Sequence, residues 1–145
     1  MFRKIRADVK MPFLESEYDP YITIYANEDI CISRDDSARI ELGISLRFEM
    51  VKVIMWYSQM NSEVKKQEKE WFLKTHYCEL KLHSSLQHSG LFSESQTIKL
   101  NNENELSMMI YNHGSETKYI KKHQAIAEIM LLEHKTHLIT SLAKI

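Results

Sequence analysis

The chain has 145 residues, 43% hydrophobic and 27% charged, with a formal net charge of −1. That length suits one domain with its own core, and the balanced charge offers no cationic surplus for phosphates, which argues against nucleic acid as a partner. Two cysteines, Cys31 and Cys78, make no disulfide framework and point to an intracellular compartment, cytoplasmic or nuclear. No apolar run is long enough to span a bilayer, and the basic start MFRKIRADVKMPF lacks a signal peptide's apolar stretch, so no membrane is expected.

In chain order, YITIYANEDICIS places Ile22 and Ile24, then Ile30 and Ile32, two residues apart. ARIELGISLRFEM alternates Ile40, Leu42, Ile44, Leu46 and Phe48 on one face. A period of two is the signature of strands. TIKL, ELSMMIYN, TKYIKK and AIAEIMLLEH add more, with the turn sequences SRDDS, NNEN and NHGSE between them. About ten short strands so spaced predict an all-β sandwich or barrel. Ser58 to Tyr77 breaks the pattern: it is rich in Lys and Glu and has no Gly or Pro. Asn61 or Ser62 can cap a helix there, Glu63 suits its first turn, and Glu63–Lys66 and Glu70–Lys74 have helical pairing distances. Val64, Glu68 and Trp71 would share a face. The expectation is a single domain over 1–145 with a charged insertion, a helix or helical loop, at about 51–76.

MMIYNHGSETKYIKKHQAIAEIMLLEH resembles the C-terminal half of trimeric dUTPases, whose pattern runs apolar strand, Asn, polar turn, then I-K-K-G-x-x-I-A-Q-L-I. Asn112 stands at the family Asn, His123 at the family Gly and Glu128 at the family Gln. Gly114 follows in the turn, where a positive φ is expected. YANEDICISRDDSARIELGISL matches the family's Y-S-A-E-D-V stretch through Glu28, Asp29, Ile30, Ile32 and Gly43, and HSSLQHSGL resembles R-S-S-L-A. The resemblance covers about Tyr21 to Phe48 and Leu80 to Glu133. It implies a distorted β-jelly roll, a homotrimer, and active sites between subunits.

The same resemblance implies a dUTP-hydrolysing site in which magnesium clamps the triphosphate and a carboxylate activates water. Its positions fall on other residue types here. Thr23 stands where the metal-side Asp is needed; Asp19 reaches that place only with a gap. His83 replaces the phosphate-binding Arg, and Ser84 is retained. Lys99 stands at the base, Asn102 at the Tyr under the sugar, and Asn104-Glu105 at the family Gly-Glu pair. No Asp follows Asp36, and Glu103 or Glu94 could serve only in a rebuilt loop. The family's Gly-rich C-terminal arm has no counterpart after Gly114.

Other constellations are weaker. His134 and His137, or His113 and His123, form no recognised metal spacing, so no metal is expected. Cys31 reads as a plain strand cysteine, and Met108-Met109 as core. The expected function is therefore that of a catalytically inactive dUTPase-like protein serving as a protein–protein interaction module. A viral or virus-derived accessory factor fits, similar to the dUTPase-like adenovirus early protein. No cofactor is expected. The alternative is a nucleotide-binding or dUTP-hydrolysing enzyme with a rebuilt site, for which magnesium would be needed. Candidate contacts for an unidentified protein partner are Trp56, Tyr57, Trp71 and Phe72 in the insertion. Ile145 could enter a PDZ-type pocket, although Ala143 is a poor residue two positions before it.

Overall fold

The computed structural model describes residues 2–14, 16, 18–47 and 61–139. Phe48, Trp56, Tyr57 and Ile145 lie outside them. Ten strands are described: β1 (Phe2–Lys4), β2 (Ile22–Tyr25), β3 (Ile30–Ile32), β4 (Ser37–Leu46), β5 (His76–Leu82), β6 (Leu91–Phe92), β7 (Gln96–Lys99), β8 (Glu105–Asn112), β9 (Lys118–Ile120) and β10 (Ala125–Glu133). They form one sheet in the order β1-β4-β8-β6, a second in the order β2-β10-β5-β7, and a ribbon β3-β9. All pairings are antiparallel. This is the jelly-roll architecture expected, as a sandwich; among the described residues no strand pairing joins the two sheets into a closed barrel.

The alternation in sequence explains the core. Ile40, Leu42, Ile44 and Leu46 of β4 and Leu106, Met108 and Ile110 of β8 are buried. They belong to one apolar cluster with Ile24, Ala127, Ile129, Cys78, Leu80, Leu82 and Ile98 of the other sheet. Burial pushes the Cys78 thiol up to about 11, which makes it an inert core group. Met109 departs from expectation: its neighbour Met108 points inward, so Met109 faces out and is exposed, as the period of two requires.

The glycines also depart from it. Gly43 and Gly90 have φ of +70° and +87°, whereas Gly114 is not a positive-φ residue. Gly114 is small for another reason. A Cβ there would meet Asn112 Oδ1 at 3.2 Å, and one on Gly90 would meet Gly114 Cα at 2.8 Å. The two glycines thus pack backbone to backbone beside Asn112. Asn112 is fully buried; its amide donates to the carbonyls of Ile32 (2.9 Å) and Glu116 (2.8 Å), and its oxygen accepts from Gly114 N–H (2.9 Å). It ties β3 to the β8–β9 turn. The left-handed conformation instead falls on His123, φ +68°, where the family pattern carries Gly. Histidine visits that region more than most residues do, at some cost. His123 N–H donates to Ala26 O at 2.7 Å, which holds the turn shut.

Within the segment expected as an insertion, the described residues form a helix, α1 (Ser62–Thr75), running directly into β5. Asn61 is the cap, its side chain accepting from Val64 N–H at 2.8 Å. The face shared by Val64, Glu68 and Trp71 is not the one that packs. Val64 and Trp71 are exposed, while Glu68 and Phe72 are half-buried and Thr75 is buried. Phe72 and Leu73 pack against the core, and the Phe72 ring stacks on His76 with centroids 3.8 Å apart. The pairs Glu63–Lys66 and Glu70–Lys74 make no ion pair; Lys66, Glu70 and Lys74 are exposed.

Candidate functional site

Three of the sequence-derived site residues come together, and the group that joins them is Glu128. In the paired strands, Thr23 of β2, Glu128 of β10 and Lys81 of β5 form one transverse row. Residues directly opposite each other share a face, and this face is the one turned away from the core. Glu128 is only 5% exposed. Its Oε1 accepts from Ser84 N–H at 3.1 Å and lies 3.6 Å from His83 Nε2; its Oε2 lies 3.7 Å from Lys81 Nζ. Lys81 also sits over the Tyr21 ring, 4.1 Å from its centroid. The Tyr21 hydroxyl first, then the Glu128 and Glu79 carboxylates, hold the Lys81 ammonium above its ordinary value.

His83 caps the 3₁₀ turn Ser84–Leu86. Its Nδ1 accepts from Ser85 N–H at 3.2 Å and stands 2.7 Å from Ser85 Oγ. An accepting Nδ1 leaves the ring proton on Nε2, facing Glu128. Ser85, His83 and Glu128 stand in the order hydroxyl, imidazole, carboxylate, as in the relay of a serine nucleophile, but the imidazole–carboxylate step, at 3.6 Å, is too long for a hydrogen bond. The remaining requirement also fails. The Ser84 and Ser85 N–H groups that could hold an oxyanion are engaged by Glu128 and His83. The arrangement caps a turn and neutralises a buried carboxylate.

The other sequence-derived residues lie elsewhere. Lys99 ends β7, paired with Tyr77. Tyr77 is four residues along β5 from Lys81, roughly 13 Å at the rise of a strand. Asn102 caps the following turn, accepting from Asn104 N–H at 3.0 Å. Glu105 starts β8 in the other sheet, where Arg6 Nε lies 3.7 Å from its Oε1, an oxygen that is buried without a hydrogen bond. Burial first, then the neighbouring Glu41 carboxyl, raises the Glu105 carboxyl above its ordinary range. Asp19 accepts from Ser16 N–H at 3.0 Å in an exposed turn, and Glu103 and Glu94 are exposed. Among the described residues, no three His, Cys, Asp or Glu side chains stand together as metal ligands, and no helix is long and apolar enough to cross a membrane.

Glu128 stands at a family Gln, to which the resemblance assigns no role in the site. The available signal was a carboxylate in the middle of the apolar run AIAEIMLLEH. Trp71 is 54% exposed, its ring edge-on to His137 at 5.1 Å, while Phe72 is turned inward. The two do not form one exposed pair.

No family model and no curated protein matches the chain. Solved structures do. The dUTPase of Staphylococcus bacteriophage 80alpha aligns with a TM-score of 0.70 over 93% of this chain and 90% of that one, at 12% identity. The dUTPase from phage phi11 of S. aureus, described as having a species-specific insert, aligns at 0.71 over 93% and 90%, also at 12% identity. EIAV dUTPase aligns at 0.65 over 93% and 88%, at 13% identity. The chain has the dUTPase fold.

Proposed function

We propose that this chain is a dUTPase-fold protein that does not hydrolyse dUTP and acts through protein contacts. One observation carries the reading: where the family pattern needs a receptor for phosphate, this chain has a buried anion. Ser84 N–H, a group able to hold a phosphate oxygen, donates to Glu128, and His83 and Lys81 face the same carboxylate. A triphosphate would have to displace that carboxylate against charge repulsion. At the position of the general base stands Lys99, which cannot accept a proton while charged. Loss of a positioned base alone costs about 10²–10⁴-fold.

A role in contacts is supported by the exposed Trp71 on an element that the family pattern lacks. The 80alpha phage dUTPase is described as controlling transfer of virulence genes, so this fold is found in regulatory proteins. A homotrimer and a viral accessory role follow from the family resemblance. The decisive assay is pyrophosphate release from dUTP with magnesium. Turnover below about 10⁻² s⁻¹ is expected; about 1 s⁻¹ or more, the ordinary enzyme range, would support a rebuilt active site instead.

A further inference from the structure

The second point of interest lies at the far end of the β2-β10-β5-β7 sheet, away from Glu128. There α1 stands beside the outer sheet face and leaves a cavity of about 660 Å³, within the range of small-molecule sites. The helix presents Glu70, Leu73 and Lys74, spaced as one helical face. The sheet presents Tyr77, Thr97 and Lys99, and His134 lies across from Tyr77 with ring centroids 6.0 Å apart.

The charge at this place is not balanced. Lys74 and Lys99 enter from two different elements, and among the described residues neither has an ion pair or a side-chain hydrogen bond. Glu70 is the one carboxylate in the lining, beside two imidazoles, His76 and His134. Lys74 alone has an ordinary account, since a cation in the last helical turn suits the negative end of the helix dipole. That account does not reach Lys99, which belongs to β7. The rest of the lining pairs flat apolar surface, from Tyr77 and Leu73, with the hydroxyls of Thr97 and Thr136 and the amide of Asn101. Two departures from the family pattern therefore meet in one cavity: the added helix and the lysine at 99.

We propose that this cavity binds a small aromatic anion. The ring would lie against Tyr77 and Leu73, and the anionic group between Lys74 and Lys99, with Asn101 and the threonines as donors. The inference does not rest on the interaction role proposed above, since none of its binding groups is Trp71.

Phenyl phosphate is a suitable probe, titrated into the full chain while amide resonances are followed by NMR. Saturable shifts are expected at Leu73, Thr97, Lys99 and Asn101. Lys99→Glu and Lys74→Glu should each weaken binding about tenfold or more, the usual effect of losing a charge-assisted contact. Lys69→Glu, on an exposed part of the same helix, should leave it unchanged. Inorganic phosphate should bind more weakly than phenyl phosphate, and benzylamine should not shift these resonances. The proposal is overturned if no saturable shift occurs, if the shifts map to Lys81 and His83, if benzylamine binds equally well, or if Lys69→Glu weakens binding as much as Lys99→Glu. Native-like spectra of the variants exclude unfolding as the cause of lost binding.

Discussion

The two ends of one sheet use their charges in opposite ways. At the Glu128 end, a buried carboxylate is met by a backbone N–H, an imidazole and an ammonium from neighbouring strands and a tight turn. At the helix end, Lys74 and Lys99 face a cavity without partners among the described residues. A buried charge must be compensated by its own protein, because leaving it unpaired costs several kcal/mol. An exposed lysine is compensated by water and stays available. The Glu128 end is therefore occupied by its own side chains, and the helix end is open.

That contrast can be broken by substitution. Glu128→Leu should cost about 2–3 kcal/mol in denaturant unfolding, because Ser84 N–H and Lys81 lose their partner. Lys99→Glu should stay within about 0.5 kcal/mol, as surface changes do. Equal costs at the two ends would erase the distinction.

Within the helix the same logic separates neighbours. Phe72→Ala should cost about 2 kcal/mol, since the ring is half-buried against His76 and the core. Trp71→Ala should cost less than about 1 kcal/mol, since more than half of that side chain is in water. A melting temperature that falls equally in both would mean that Trp71 also anchors the helix, and would leave it unsuited to partner capture.

His123→Gly should stabilise the chain by about 0.5–1 kcal/mol, because the residue already holds φ +68° and glycine adopts that conformation without a Cβ clash. Loss of stability would mean that the contact of the His123 ring with Asp8 O, at 3.2 Å, outweighs the strain.

The smallest effect concerns Glu105. Its folded-state carboxyl is raised by burial and by Glu41, so the native state holds the proton more tightly than the unfolded chain does. Stability is then lost as pH rises from the ordinary glutamate value, about 4.3, through the raised folded value, and is fully lost above it. Glu105→Gln should add about 0.5 kcal/mol at neutral pH, the scale of a cross-strand charge pair, and nothing at pH values below the ordinary glutamate range. A gain that persists in acid would point to packing instead of charge.

The strands were legible because side-chain alternation is a local property: Ile22 and Ile24, or Leu42 and Ile44, mark their face wherever the strand is placed. The cap at Asn61 and the helix after it were legible for the same reason, although its inward face was not. Phe72 and not Trp71 turns in because the helix axis is set by its junction with β5 at His76, which no helical period reveals. Gly114 stands out in the sequence, but a positive φ is not what it supplies. Its neighbour in the structure is Gly90, far back in the sequence, and a close backbone approach across that distance leaves no local trace.

By itself, the sequence determined the β-rich architecture, the alternation that marks the buried face of each strand, and the capped helix after Asn61. Those depend on side-chain chemistry and spacing along the chain. Only the tertiary structure decided that Thr23, His83 and Ser84 meet around Glu128, and that Lys99 instead faces Lys74 of the helix across a cavity. These groupings depend on which strands pair and in what register. Pairing of distant strands is governed by the burial of the whole apolar face, so a charged residue on the opposite face acquires its neighbours only when the sheet is assembled.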